Sequence, residues 1–148
     1  MVVRGRGAAT LGHESRIDPA FRQQAALVYH ALPELNWAGF YFYDGAELVV
    51  GPFQGLPACV RIPLDKGVCG AAASARRTQR IADVHDFPGH IACDAASRSE
   101  LVVPLLLDDA LIGLFDLDSP VPGRFDVEDQ EGIESIAASY LRSLRIGV

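Results

Sequence analysis

Apolar residues recur at helical spacing near both ends of the chain. Asp18-Pro19 is typical of a helix start, with proline at the first helical position, and Pro33 marks the end of that helix. Asp126 is predicted to cap a second helix near the C-terminus. The apolar stripe of the first helix is Phe21, Ala25, Val28 and Leu32, and that of the second is Ile133, Ile136, Ala137, Tyr140, Leu141 and Leu144. Both helices therefore need an apolar surface to pack against.

The chain between these helices has the alternation and the turn residues of β-strands. Residues 37–43 are aromatic and strand-like, Asp44-Gly45 is a typical two-residue hairpin turn, and residues 46–50 form the return strand. Residues 51–57 are predicted to form a loop. Residues 58–62 are predicted to form a third strand, on which Ala58, Val60 and Ile62 face one way and Cys59 and Arg61 the other.

The second half of the chain predicts a short helix, a long loop and a second hairpin. Residues 67–76 are rich in small side chains and indicate a short helix, which a short strand over residues 79–82 follows. Residues 83–99 have no clear period, and so long a loop within a compact domain is usually functional. Residues 100–118 predict a hairpin that turns at residues 108–110.

This order of elements predicts a single α+β domain. Strands joined by hairpins form an antiparallel sheet, and the two terminal helices bury their stripes against one face of it. The other face of the sheet is then left for a ligand pocket. The length of 148 residues and the hydrophobic fraction of 49% suit one domain with a sizeable core.

Charge and composition exclude several classes of function. The net charge of −6 argues against a surface that coats nucleic acid, which needs clustered lysine and arginine. No apolar run reaches the ~18–20 residues of a membrane helix. The N-terminal residues are too rich in glycine for the core of a signal peptide. We therefore expect a cytoplasmic protein that binds neither nucleic acid nor a membrane.

Two acidic residues interrupt an otherwise apolar strand. Asp116 and Asp118 share one strand face, which is either solvated or the floor of an acidic pocket. Glu100 falls opposite Asp118 if the hairpin turn has three residues. With a two-residue turn Glu100 points to the other face, unless Pro104 marks a bulge. Clustered carboxylates raise one another's pKa, so that one stays protonated as a general acid while another holds a cation.

The three cysteines are Cys59, Cys69 and Cys93, and they include no Cys-x-x-Cys pair. Buried, inert thiols are the default interpretation. Cys93 lies in the long loop near His85 and His90, where a histidinium would lower the thiol pKa, and Cys69 lies at a helix start, where the helix dipole favours a thiolate. The spacing of His85, His90 and Cys93 matches no common zinc pattern, so we expect no metal site.

Trp37 and Tyr41 belong to an aromatic stripe on one face of the first strand. Core packing is the commoner reason for such a stripe. A wall for an apolar group of a ligand is the alternative.

Seven segments of the chain occur in the order of one known family. They are Asn36-Trp37-Ala38-Gly39-Phe40-Tyr41, Gly51-Pro52-Phe53-Gln54-Gly55, Ala58-Cys59, Lys66-Gly67-Val68-Cys69-Gly70, Phe87-Pro88-Gly89-His90-Ile91-Ala92-Cys93-Asp94, Ser99-Glu100-Leu101-Val102-Val103-Pro104 and Asp116-Leu117-Asp118-Ser119-Pro120. On these segments the chain closely resembles the free methionine-(R)-sulfoxide reductases, which are single GAF domains. The segments contain all three cysteines at the family spacing, so the resemblance is specific.

The resemblance implies roles for the candidate residues. Cys93 would be the catalytic thiol, Cys59 the main resolving cysteine, and Cys69 a second or auxiliary one. The implied substrate site comprises Glu100, Asp116 and Asp118, with Trp37 and Tyr41 as an apolar wall. Residues 16–148 would form the GAF domain, after a flexible N-terminal segment over residues 1–15. Because GAF domains often pair through their terminal helices, a homodimer is a further expectation.

The family also implies a reaction without a bound cofactor. Cys93 would attack the sulfoxide sulfur and become a sulfenic acid, and Cys59 would then form an intramolecular disulfide with it. Thioredoxin would reduce that disulfide and complete the repair of the oxidised amino acid. The carboxylates would supply a proton and hold the free α-ammonium group, which a peptide-bound methionine lacks. The alternative function is a non-catalytic GAF sensor that binds a small molecule.

Overall fold

One antiparallel sheet separates the helices of the described chain. The computed structural model describes residues 19–90 and 95–146, with side chains as far as Arg142. In chain order the elements are α1 (Pro19–Ala31), β1 (Trp37–Tyr43), β2 (Glu47–Gly55), β3 (Arg61–Pro63), α2 (Gly67–Ala75), β4 (Gln79–Ile81), a 3-10 turn (Val84–Asp86), β5 (Ser99–Leu107), β6 (Ala110–Ser119) and α3 (Val127–Ile146). The strands lie in the order β3-β2-β1-β6-β5-β4, and neighbours are antiparallel. The predicted fold class is confirmed.

Helices α1 and α3 cover one face of the sheet. Phe21 of α1 packs edge-on against Phe40 and Phe42 of β1, with ring centroids 4.9 and 5.0 Å apart. The predicted stripes are confirmed for Phe21, Ala25, Val28, Ile133, Ala137 and Leu141, all of which are buried in this core. Ile136 is an exception because it is 36% exposed. Among the described helices, none combines the length and the apolar character that a membrane span requires.

The start of α3 is determined by local sequence. The Asp126 carboxylate accepts a hydrogen bond from the Asp129 backbone N–H at 2.8 Å, and the Asp129 carboxylate accepts one from the Asp126 N–H at 2.9 Å. This reciprocal pair satisfies backbone donors that a helix leaves without partners at its N-terminus. The predicted cap at Asp126 is therefore confirmed.

Helix α2 covers part of the opposite face. Val68, Cys69 and Ala72 of α2 are buried against Val102 of β5 and Leu114 of β6. The terminal helices thus occupy one face, while the other face keeps room for a pocket beside α2, as predicted.

The first hairpin and the segment after it differ from the prediction. The Asp44 N–H donates to the Glu47 carbonyl, so that the turn centres one residue later than predicted. Strand β2 continues to Gly55 through the predicted loop because it pairs with β1 as far as Trp37. Residues 58–60 precede the three-residue strand β3, so the predicted strand is shorter and Cys59 does not lie on it. Val60 is 63% exposed whereas Ile62 is 4% exposed, and the predicted common face is therefore wrong.

The second hairpin has the two-residue turn together with a bulge. Asp108 and Asp109 both have positive φ, at 51° and 65°, as a two-residue turn between right-twisted strands requires. Leu106 pairs with Leu111 but Leu105 pairs with Gly113, so that Ile112 is an extra residue in β6. This shift places Glu100 opposite Asp118. The three-residue turn is therefore wrong, and the bulge lies at Ile112 rather than at Pro104.

Gly113 allows this irregularity next to β1. A Cβ atom at this position would collide with the backbone oxygen of Tyr41. The bulged strand can approach β1 this closely only without a side chain there.

Candidate functional site

A small cavity lies on the sheet face that α2 partly covers. Its volume is about 50 Å³, which accommodates more than one water-sized group. The chemically active side chains in its wall are Cys69, His90, Glu100, Asp116 and Asp118, and Lys66 also lines it. Ala58, Ile62 and Val68 add apolar surface. The structure thus brings together one cysteine and all three predicted carboxylates.

The pairing of β5 with β6 positions the three carboxylates. Asp118 is the cross-strand partner of Glu100, and Asp116 is the partner of Val102. Two-residue alternation places Asp116 and Asp118 on one face, and the bulge brings Glu100 to that same face. Both strands are interior strands of the sheet, so the carboxylates are held on a rigid support.

Cys69, Glu100 and Asp116 form a buried cluster, which we call the buried trio. The Cys69 Sγ lies 3.6 Å from Glu100 Oε1 and 3.4 Å from Asp116 Oδ2, within hydrogen-bonding distance for a thiol donor. Each residue offers one metal-ligating atom, and these three atoms lie within 4.8 Å of one another. Cys69, Glu100 and Asp116 are each 6% exposed.

Burial changes the protonation of the buried trio. Burial raises the pKa of the Cys69 thiol well above its usual value, and the charges of Asp116 and Glu100 raise it further. Burial likewise raises the pKa of Glu100 and of Asp116, and each has a neighbouring carboxylate that adds to the effect. The prediction of a Cys69 thiolate is therefore wrong, because burial and nearby negative charge outweigh the helix dipole. The Cys69 thiol is therefore protonated, and the pKa values of Glu100 and Asp116 favour their protonated forms more than those of isolated carboxyl groups do.

Trp37 and Tyr41 lie behind the cavity rather than in its described wall. They are 3% and 2% exposed, and neither is among the described residues that line the cavity. The Trp37 Nε1–H donates to the Leu56 carbonyl at 3.2 Å, and the Tyr41 hydroxyl donates to the Cys59 carbonyl at 3.0 Å. Burial, followed by the charge of Asp116, raises the pKa of Tyr41, which keeps this hydroxyl protonated as a donor. These two hydrogen bonds therefore hold the segment that contains Leu56 and Cys59 against strand β1.

The cysteines differ in their state. Cys59 is half-buried and disulfide-bonded, whereas Cys69 is a buried free thiol. Cys93 lies outside the described residues, and so does the predicted bond between it and Cys59.

Residues before and after the undescribed residues 91–94 belong to the wall of the cavity. His90 and Ser97 both line the cavity. The Gly89 carbonyl accepts a hydrogen bond from the Gly67 N–H at 3.1 Å, and Ser97 Oγ accepts one from Asn36 Nδ2 at 3.1 Å. Burial, with a smaller effect from His85, lowers the pKa of His90, which favours its neutral form.

Lys66 and Ser97 are wall residues that were missed as site candidates. Lys66 stands directly before α2 and is exposed, so it offers a cation at the mouth of an otherwise acidic cavity. It belongs to the family segment Lys66-Gly67-Val68-Cys69-Gly70, and this membership is the sequence feature that indicates it as a site residue. Ser97 lies in the long loop, where no pattern distinguished it.

The comparisons with known proteins agree with this fold. A family model of the GAF domain matches residues 21–142. The chain is 49% identical to the free methionine-R-sulfoxide reductase of Escherichia coli (strain K12) over 92% of this chain and 82% of that protein. The structure of fRMsr of Staphylococcus aureus in complex with substrate has 51% identity and a TM-score of 0.81, covering 85% of this chain and 82% of that one.

A second solved structure gives the same result at lower identity. The free methionine-R-sulfoxide reductase from Neisseria meningitidis, in complex with its substrate, has 39% identity and a TM-score of 0.81, covering 88% of this chain and 80% of that one. Family model, sequence identity and fold therefore agree, and the chain belongs to the free methionine-R-sulfoxide reductase family of GAF domains.

Proposed function

We propose that this protein reduces free methionine-(R)-sulfoxide to methionine with its own cysteine thiols. The observation that carries the proposal is the buried carboxyl pair of Glu100 and Asp116 in a cavity whose wall includes His90, three residues before Cys93. Relatives named for this activity support the same substrate.

Cys93 is the proposed nucleophile. It stands three residues after His90 and four before Ser97, and both of these line the cavity. Because one residue spans at most about 3.6 Å, the three residues from His90 to Cys93 can span at most about 11 Å. The Cys93 thiolate attacks the sulfoxide sulfur and takes over the oxygen. With one added proton the products are methionine and the Cys93 sulfenic acid.

The carboxyl pair supplies the proton that this step consumes. Two buried carboxyl groups this close do not both ionise readily, so Glu100 and Asp116 retain a proton at a higher pH than isolated carboxyl groups. A retained proton is what a general acid needs in order to protonate the leaving oxygen. Cys69 supports the pair as a thiol donor in this scheme.

Cys59 is the proposed resolving cysteine. Its thiol attacks the Cys93 sulfenic acid, forms the disulfide and releases water. Its disulfide-bonded state supports this role, whereas Cys69 is a free thiol. An external dithiol, for which we propose thioredoxin, then returns both cysteines to thiols without a bound cofactor.

Two charged residues at the mouth of the cavity suit the ends of a free amino acid. Asp118 is only half-buried and is the proposed partner of the α-ammonium group. The exposed Lys66 is the proposed partner of the α-carboxylate. A methionine sulfoxide within a peptide chain lacks both charges, which gives a physical reason for selecting the free amino acid.

The test combines product release with thiol counting. Fully reduced protein is mixed with free methionine-(R)-sulfoxide in the absence of reductant. The proposal expects one methionine released and two thiols lost per chain, and the S epimer serves as the control. A GAF sensor would bind the compound and lose no thiol, and that result would overturn the proposal.

A further inference from the structure

The buried trio has the spacing of a tetrahedral metal site. Zinc binds a thiolate at about 2.3 Å and a carboxylate oxygen at about 2.0–2.2 Å, so that sulfur and oxygen ligands stand about 3.6 Å apart. The Cys69 Sγ lies 3.6 Å from Glu100 Oε1 and 3.4 Å from Asp116 Oδ2. Both sulfur–oxygen distances therefore match those of a zinc site, and all three candidate ligand atoms lie within 4.8 Å of one another.

A second observation points to a missing ligand at the same place. Asp116 is 6% exposed and lines the cavity, and its Oδ1 atom has no hydrogen-bond partner among the described residues. Within the described part of the chain, no lysine, arginine or histidine forms an ion pair with Glu100 or Asp116. Buried ionised carboxylates without a cation are costly, so that the pair retains a proton, and a bound divalent ion can take the place of that proton.

We infer that Cys69, Glu100 and Asp116 form a binding site for a thiophilic divalent cation of the zinc class. Binding releases the thiol proton and the proton held by the carboxyl pair into solvent, and no electron is transferred. Three protein ligands leave a fourth position open to water. Sulfur together with carboxylate oxygen favours zinc over magnesium or calcium, which prefer oxygen alone.

This site is complete while Cys59 is disulfide-bonded, because Cys69 stays a free thiol in that state. A bound ion would occupy the cavity that the proposed function assigns to the substrate. The cation and free methionine sulfoxide should therefore exclude each other, and only this exclusion rests on the proposed function.

The direct test uses the full-length protein in its disulfide form, without reductant. Cadmium serves as the spectroscopic probe, because a thiolate bound to cadmium has an ultraviolet charge-transfer band, and zinc binding is measured by calorimetry. We expect one equivalent per chain, the charge-transfer band, and tighter binding as the pH rises, since binding releases protons. Absence of the band, or no saturable binding of either ion, would overturn the inference.

Two variants decide which atoms bind. Cys69→Ser should abolish the band and weaken zinc binding by more than about 100-fold, because the loss of an outer partner alone costs about 10–100-fold. Glu100→Gln should weaken binding while keeping the band, and Glu131→Gln, on the exposed surface of α3, should change neither. Circular dichroism checks that each variant is folded. An unchanged band in folded Cys69→Ser would contradict the assignment.

Competition separates this inference from the proposed reductase activity. Free methionine sulfoxide should raise the apparent dissociation constant for cadmium in the disulfide form. If metal binds but free methionine sulfoxide does not change its dissociation constant, the claim that cation and sulfoxide share one cavity is wrong. If no methionine is released in the thiol-counting assay, the proposed function fails while the metal titration still stands.

Discussion

Replacing Glu100 with glutamine should make the protein more stable relative to wild type as the pH rises. Burial and Asp116 raise the pKa of Glu100 above the value of 4.5 for a free glutamate. The folded protein therefore holds a proton that the unfolded chain has lost, and the free energy of unfolding falls as pH rises from about 4.5 toward the folded pKa. Glutamine keeps the shape of the side chain and has no proton to lose.

The size of the effect follows from proton linkage. One proton held only by the folded state changes the free energy of unfolding by about 1.4 kcal/mol for each pH unit. For a domain of this size, 1 kcal/mol corresponds to roughly 2–4 °C in Tm. The Tm of Glu100→Gln minus that of wild type should therefore rise by about 3–6 °C per pH unit above pH 5, until the folded pKa is reached.

Thermal unfolding between pH 5 and 8 measures this difference. Asp116→Asn should show the same trend, because the two carboxyl groups titrate as a coupled pair. Glu131→Gln, which changes an exposed glutamate of α3, should show no such trend. At constant pH the Glu100→Gln variant should also lose about 10²–10⁴-fold in reductase rate, the usual contribution of a general acid. A Tm difference that stays constant from pH 5 to 8 would refute the argument about the buried carboxyl pair.

Four further substitutions test the proposed chemistry, the role of Tyr41 and the contact of Lys66 with the substrate. Cys93→Ser should abolish methionine release because a hydroxyl is a far weaker nucleophile than a thiolate. Cys59→Ser should release one methionine per chain and then stop. Multiple turnovers in either variant would contradict the roles of Cys93 as nucleophile and Cys59 as resolving cysteine. Tyr41→Phe removes the hydrogen bond to the Cys59 carbonyl, worth about 0.5–1.5 kcal/mol, so disulfide formation should slow by roughly 2- to 10-fold. Stopped-flow and sulfenic-acid trapping should show that methionine release is unchanged in Tyr41→Phe, and an equal slowing of both steps would indicate a general folding defect. Lys66→Gln should raise KM by up to about 5-fold at low salt, as expected for an exposed ion pair, and an unchanged KM would remove Lys66 from the substrate site.

The sequence by itself determined the features that depend on neighbouring residues. The stripe Phe21, Ala25 and Val28 and the reciprocal cap of Asp126 and Asp129 require only local spacing and local hydrogen bonds, and both occur in the structure. The common face of Asp116 and Asp118 likewise follows from the two-residue period of a strand. The family motifs indicated the fold and the carboxylate residues of the cavity.

Tertiary structure decided what depends on distant parts of the chain. The position of Glu100 depended on the bulge at Ile112, which the close approach of Gly113 to the backbone of β1 accommodates. The extension of β2 to Gly55 required pairing with Trp37. The protonated state of Cys69 required its burial beside Glu100 and Asp116, which are 31 and 47 residues away in sequence. Sequence patterns report local periodicity, whereas pKa and register depend on dielectric surroundings and on neighbours that only the folded chain brings together.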